Sequence, residues 1–285
     1  MRDRIVITGA GGQVGSLLAA EAARQGRDVL AMTSAQWDIT DPSVAEHVVE
    51  PGDVVVNCAA YTAVDAAEHD QARAHAVNAV GAGNIARSCA RIGARLIHVS
   101  TDYVFDGEFD GVPRPYDIDD SAAPLSVYGR TKLAGERAVH AALPTAHVVR
   151  TAWVYTGVGN DFVATMRRLA AGDGPVSVVS DQIGSPTYAG DLVSALLQVA
   201  DGGIAAPLLH AANEGAVSRF EQARAVFAAV GADHLRVRPA RSDEHPRAAR
   251  RPQYSALSGS QSAAAGLTRL RPWRDALDDA LAVTP

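Results

Sequence analysis

The sequence predicts an α/β protein, a doubly wound parallel sheet followed by a smaller C-terminal subdomain. Three observations predict it. Short apolar runs alternate with helical patterns at a spacing suited to βαβ crossovers as far as residue 155. A glycine-rich turn, Gly9-Ala10-Gly11-Gly12-Gln13-Val14-Gly15, joins the first run to the first helix. Beyond residue 155 the rhythm loosens into short helices separated by Gly/Pro-rich segments.

The elements follow in order. Arg4 to Thr8 is an apolar strand that the glycines break, and Val14 to Gln25 is a helix with Val14, Leu17, Leu18 and Ala22 on one side. Asp28 to Thr33 is a second strand. Asp41 is the N-cap of the next helix, with Pro42 at its first position. Asp53 to Asn57 is continuously apolar apart from its ends, as a parallel strand covered on both faces should be. Gln71 to Ile92 reads as one long helix, Arg95 to Ser100 as a strand, Ser126 to Ala142 as a helix and His147 to Thr151 as a strand. Shorter helices are expected over Phe162 to Ala171, Asp191 to Ala200, Ser218 to Val230 and Trp273 to Ala282.

With 285 residues, 47% hydrophobic and 20% charged, the chain can build a real core. A net charge of −6 argues against a nucleic-acid partner. Arg247 to Arg251 holds three arginines without interleaved aromatics and reads as a solvated loop or an anion contact. Cys58 and Cys89 lack zinc spacing and are too few for a disulfide framework, so Cys58 reads as a buried small hydrophobe. The nine histidines show no metal spacing, and His98 and His210 read as satisfied core residues. No run approaches the ~18 apolar residues of a membrane span, and the first strand starts at once, so no membrane association and a cytoplasmic location are expected.

The glycine turn has the context that dinucleotide binding requires, with a strand before it and a helix after it. Gly9, Gly12 and Gly15 allow a tight turn and a close approach to a pyrophosphate, and the helix N-terminus offers N–H donors. At the end of the second strand, Ala31-Met32-Thr33-Ser34 carries no carboxylate before Asp38, and Ser34 can bond a 2′-phosphate. This favours NADPH, with NADH admissible; no arginine clamp is obvious, although Arg27 is not excluded.

The chain contains one lysine, and it stands four residues after a tyrosine, in Tyr128-Gly129-Arg130-Thr131-Lys132. Positions i and i+4 share a helix face, so the phenol and the ammonium can meet, and an ammonium favours an ionised phenol. Ser100-Thr101-Asp102-Tyr103 follows the fourth strand, where ligands of open α/β sheets bind. Either Ser100 or Thr101 completes a Ser/Thr–Tyr–Lys set with Tyr128 and Lys132.

With these residues the chain resembles the extended short-chain dehydrogenase/reductase superfamily, and within it the dTDP-4-dehydrorhamnose reductase family. The landmarks are Thr8 to Gly15, Asp38-Ile39-Thr40-Asp41, Asn57-Cys58-Ala59-Ala60-Tyr61-Thr62-Ala63-Val64-Asp65 and Ser100 to Gly107. Further on come Pro124 to Glu136, Arg150-Thr151-Ala152-Trp153-Val154-Tyr155 and Asp181-Gln182-Ile183-Gly184-Ser185-Pro186-Thr187. The resemblance implies a Rossmann-like domain over 1–155 and, over 156–285, mainly a substrate-binding cap with segments returning to the core. It implies NADPH-dependent reduction of a dTDP-linked 4-keto sugar, dTDP-4-dehydrorhamnose becoming dTDP-L-rhamnose, by a monomer or homodimer.

By the same resemblance Tyr128 donates the proton, and Lys132 and the oxidised nicotinamide lower its pKa from about 10. Lys132 also holds the nicotinamide ribose, and Thr101 orients the carbonyl. Gly9, Gly11, Gly12, Gln13, Val14, Gly15, Ser34, Asp38, Ile39, Ala59, Ala60 and Tyr61 join Tyr128 and Lys132 around the cofactor. Thr62, Val64, Asp102, Tyr103 and Trp153 face the sugar nucleotide with Thr101 and Tyr128, Asp102 and Asp106 being local turn and capping residues rather than acids. Asn78 stands where the superfamily often binds water, though plain helix-surface polarity accounts for it as well. Trp37 and Trp273 read as packing.

Three departures stand out. Tyr254 and Gln261 replace an asparagine and a lysine of the C-terminal pattern, which puts substrate-end recognition in question. Leu17 occupies the place of a magnesium-binding glutamate, so no metal is expected. Gly107 to Asp120 is long and acidic and could shape a different sugar pocket. The alternatives are a 4-ketoreductase for another dTDP-deoxysugar of secondary metabolism, or a non-catalytic NADP-binding regulatory subunit. Dehydration is disfavoured because Thr101-Asp102-Tyr103 lacks the second carboxylate of that chemistry.

Overall fold

In a computed structural model, which describes residues 3–282, β1 (Ile5–Thr8) is followed by α1 (Gln13–Arg24), β2 (Val29–Met32), α2 (Pro42–Val48) and β3 (Val54–Asn57). Asp41 caps α2 by accepting from Ser43 N, with Pro42 in the first turn, as expected. α3 (Val64–Ala67), α4 (Gln71–His75) and α5 (Ala82–Ile92) lead to β4 (Arg95–Thr101). α6 (Val127–Ala142) and β5 (His147–Thr151) complete the first half, and the Ser126 hydroxyl caps α6 at Gly129 N, 3.1 Å away.

The predicted 71–92 helix is interrupted. Residues Ala76–Gly81 between α4 and α5 form a π-helical turn. Its cause is one side chain: Asn78, 1% exposed, faces inward, where its amide accepts from Tyr61 N and donates to Tyr61 O and the Thr131 hydroxyl. The widened turn brings these groups together, a use common to such bulges. Asn78 is therefore an internal clamp and not surface polarity.

The second half contains β6 (Val154–Tyr155), α7 (Phe162–Ala170), β7 (Val176–Val179), β8 (Ile183–Gly184), β9 (Thr187–Tyr188) and α8 (Ala189–Asp201). There follow β10 (Leu208–His210), β11 (Val217–Ser218), α9 (Arg219–Ala229), β12 (Val237–Ala240), α10 (Ser260–Ala264) and α11 (Trp273–Ala282). Six strands make one parallel sheet in the order β10-β5-β4-β3-β1-β2. Val54, Val55 and Val56 are fully enclosed because both faces are covered. α1 and α8 cover one face, and α2, α5 and the end of α6 the other. Thus β10 extends the central sheet and α8 covers it, although both come late in the sequence. A separate apolar cluster joins α7, α9 and α11 with the parallel pair β7–β12. Trp37 and Trp273 are buried in cores, as predicted.

Strand order reverses at β1, whose neighbours β3 and β2 run to opposite sides. Such a switch point opens a crevice beyond the carboxyl ends. Gly9, at φ +69°, stands there so close to the next chain that a Cβ would lie 2.6 Å from Ala59 N. Only glycine fits.

Candidate active site

The crevice is a cleft of about 1010 Å³. Gly9, Gly11 to Gly15, Ser34, Asp38, Ile39, Ala59, Ala60 and Tyr61 all line it, as do Thr62, Thr101, Asp102, Tyr128, Lys132 and Trp153. Val64 and Tyr103 do not belong to its lining. Val64 begins α3, and Tyr103 packs behind Tyr128 with ring centroids 5.8 Å apart, edge to face. Residues without a forecast site role that also line it include Thr33, Cys58, Arg73, Val77 and Thr151.

The glycine turn fits a dinucleotide phosphate. Gly12 caps α1 without a side-chain hydrogen bond, leaving the first N–H groups for a ligand. Asp38 lines the wall, but its carboxylate accepts from the N–H and hydroxyl of Thr40, which hold its pKa low. Arg27 is bound by Asp201 and Gln25 and lies outside the cleft, so it is no clamp. Arg73 supplies the positive charge that lines this wall.

The alternation of β4 separates Ser100 from Thr101. The Ser100 hydroxyl donates to Glu136 Oε1 at 2.5 Å, and Arg150 grips the same carboxylate with bonds of 2.9 and 2.7 Å. Thr101 turns to the Tyr128 phenol, whose pKa it pulls downward, and its hydroxyl donates to Asp102 Oδ1 at 3.0 Å. Asp102 does more than cap a turn. It is buried and accepts from Ser255 at 2.6 Å, and burial raises its pKa to about 6 against the pull of Ser255 and Thr101.

The expected phenol–ammonium meeting is not what the side chains do. Lys132 Nζ, 2% exposed, donates to the Val99 carbonyl at 2.7 Å and lies 3.5 Å from His98 Nε2. Burial lowers its pKa to about 8, opposed by Glu136 and Cys58. The Tyr128 phenol is shifted upward rather than downward, first by burial and then by Asp102 and Tyr103, with Thr101 pulling the other way. A four-carbon side chain reached a better acceptor on β4 than a neutral phenol one turn away.

At the far end, Trp153 adopts φ 46°, an uncommon conformation for a bulky residue. Its ring leaves no room for a Cβ at Gly184, which would lie 2.4 Å from it, and the Arg219 guanidinium sits 3.5 Å from the ring centroid. Arg251 forms a two-bond pair with Asp65, so this part of the 247–251 run is no solvated loop. The Ser218-x-x-Glu221 capping box was readable as a helix start, but nothing local placed Arg219 against Trp153.

The remaining forecasts divide. Cys58 is half-buried and borders the cleft instead of being fully enclosed, and desolvation pushes its thiol up to about 12. His98 bonds Asn57, whereas neither ring nitrogen of His210 makes a well-formed hydrogen bond, and burial lowers its pKa to about 3. Gln261 accepts from Ile118 N and donates to Asp119, so it ties down the 117–120 segment away from the cleft. Tyr254 packs on Phe109, outside the cleft lining. Gly107 to Asp120 likewise stays out of the cleft. Gly107 and Glu108 instead border a neighbouring cavity of about 410 Å³ with Arg247, Arg250 and Arg251. Leu17 packs against the core, and no group of three or more metal-ligating side chains occurs among the described residues.

Comparison with known proteins places this geometry. The family model described as RmlD substrate binding domain matches residues 2–284. The chain is 66% identical over 282 residues to dTDP-4-dehydrorhamnose reductase of Mycobacterium tuberculosis (strain H37Rv), covering 98% of this chain and 93% of that one. It is 64% identical to the enzyme so named in Mycolicibacterium smegmatis, covering 99% and 86%. The crystal structure of dTDP-4-dehydrorhamnose reductase from Bacillus anthracis in complex with NADP superposes with a TM-score of 0.92 at 36% identity, covering 98% of both chains. Likeness of this extent, reaching from the glycine turn through α11, means that the chain belongs to the dTDP-4-dehydrorhamnose reductase family.

Proposed function

We propose that this protein is an NADPH-dependent oxidoreductase that reduces the 4-keto group of dTDP-4-dehydrorhamnose, giving dTDP-L-rhamnose. The observation that carries the reading is one cleft containing a dinucleotide-type glycine turn together with Thr101, Tyr128 and Lys132. NADPH, when bound, supplies hydride to the carbonyl carbon. The carbonyl oxygen, becoming an alkoxide, takes the Tyr128 hydroxyl proton, and solvent later restores that proton. A phenol held above its ordinary range keeps its proton at neutral pH until so strong a base develops beside it.

Thr101, held by Asp102 beside the same phenol, orients the oxygen. The Lys132 ammonium binds the ribose of the cofactor and stabilises the transient phenolate electrostatically. The glycine turn, Ser34, Asp38, Ile39 and Ala59 to Tyr61 hold the rest of the cofactor. Thr33, Ser34 and Arg73 suit a 2′-phosphate, because the one carboxylate on that wall is already bound by Thr40. Thr62, Asp102 and Trp153 face the sugar nucleotide, and Val64 and Tyr103 back that surface.

We divide the labour near residue 155, with cofactor and chemistry before it and mainly substrate recognition after it. No helix among the described residues is long and apolar enough to cross a membrane. A cytoplasmic monomer or homodimer fits a chain of this kind.

The test is NADPH oxidation with dTDP-4-dehydrorhamnose, followed by identification of the product sugar and its C4 configuration. A protein that binds NADPH tightly yet turns over no dTDP-4-keto sugar would overturn the reading. Tyr128→Phe is expected to keep NADPH binding and to lose turnover by a factor on the order of a hundred to ten thousand. An active Tyr128→Phe would remove Tyr128 as the acid.

A further inference from the structure

Behind Lys132 runs a buried polar chain that ends at the first strand. The Thr8 hydroxyl donates to Asn57 Oδ1 at 2.7 Å, and Ala59 N donates to the same oxygen at 3.1 Å. Two donors on one atom fix the orientation of the Asn57 amide. Its Nδ2 must then donate to His98 Nδ1, 2.9 Å away. With Nδ1 accepting, a neutral imidazole carries its proton on Nε2. His98 is neutral, since full burial and the neighbouring Lys132 push its pKa well below the usual histidine value. The Nε2–H bond therefore points at Lys132 Nζ across 3.5 Å, where a donor faces a donor.

We propose that Asn57 locks His98 as the Nε2–H tautomer, and that His98 is a positioning residue for Lys132, denying the ammonium an acceptor on its inner side. The ammonium is left with the Val99 carbonyl for one N–H, and its other donors serve the cleft. Had the ring been the other tautomer, Nε2 would accept from the ammonium and turn one donor inward. No carboxylate competes. Glu136, on the next turn of α6, is bound by Arg150 and Ser100. The other titratable groups facing Lys132 are Cys58 after β3, His98 on β4, and Tyr128 on its own helix, with His140 acting on His98 from further along α6.

The role assigned to Lys132 rests on the reductase reading, but the tautomer can be measured without turnover. In ¹⁵N-labelled protein, with His98→Gln used to assign the signal, His98 Nδ1 is expected as the unprotonated nitrogen at neutral pH. A protonated Nδ1, or an imidazolium, overturns the proposal. Asn57→Asp offers His98 only acceptors, keeps partners for Thr8 and Ala59, and should switch the ring to Nδ1–H.

The alkaline limb of kcat/KM, expected near pH 8 from Lys132, should then move upward by about one pH unit. An added carboxylate could do this through space, so the same change is made in a His98→Leu background. The shift should vanish there, and a shift that persists without the imidazole overturns the proposal. Should Asn57→Asp fail to fold, the wild-type tautomer decides the question. Absence of wild-type turnover would sink the reductase reading and leave the tautomer result standing.

Discussion

Two buried charges one turn apart on α6 are treated in opposite ways. Glu136 is closed on every side, with an arginine fork on both oxygens and a serine hydroxyl on one of them. Lys132 has one carbonyl, a neighbouring N–H, and the cleft. The same contrast recurs further out, where Arg251 is closed by Asp65 while Arg219 is stacked on Trp153 with no carboxylate in a salt bridge. A charge whose partners are all protein groups stiffens the frame, whereas a charge left partly unanswered is held ready for a ligand. The first should matter to folding and the second to turnover.

The largest effect expected tests the closed site. Glu136→Gln leaves the Arg150 guanidinium buried without its counter-ion and should lower unfolding free energy by about 3–5 kcal/mol. Denaturant titration measures it, and a loss below about 1 kcal/mol would mean that the pair does not brace β4, β5 and α6.

The open site should behave inversely. Lys132→Met should reduce kcat/KM on the order of a hundredfold while leaving stability at pH 7 unchanged or higher by about 1–3 kcal/mol. The folded pKa of Lys132 is depressed, so its burial costs stability wherever the ammonium persists. That cost fades as pH rises from about 8 towards the unfolded value of about 10.4. The gap between variant and wild type should therefore close in alkali. A variant destabilised as much as Glu136→Gln would erase the distinction.

The smallest effect concerns Asp102, which is closed by hydrogen bonds but not by a cation. Its folded pKa is raised to about 6, so wild type loses stability as pH climbs from about 4 to about 6. Asp102→Asn should be more stable than wild type at pH 7 by about 1 kcal/mol and equal to it near pH 4. Melting curves at the two pH values decide. An advantage equal at both would assign the gain to packing instead.

What the sequence revealed was local. Gly9 to Gly15, the capped start of α2 and the strand–helix alternation each depend on neighbours within a few residues, and they came out within one or two residues of the structure. Thr101, Tyr128 and Lys132 were found through spacing, motif and resemblance, and all line one cleft. The rest depended on distant partners. The π turn exists because Asn78 meets Tyr61 and Thr131, which lie 17 and 53 positions away. Helical spacing put Lys132 on the same face as Tyr128, but its Nζ went to a carbonyl 33 positions back. Gln261 stands where the family pattern has a lysine, and only the fold shows it as a brace for a segment more than a hundred residues earlier.

The burial of the only lysine also sets how this protein can be handled chemically. Reagents that acylate side-chain amines find a single target in the sequence, and it lies inside the cleft with a lowered pKa. Acylation at that position therefore reports on access to the cleft alone, and its protection by a dinucleotide could be counted as one modification per chain. The exterior, which carries arginine but no lysine, gives amine-directed crosslinkers no side-chain foothold.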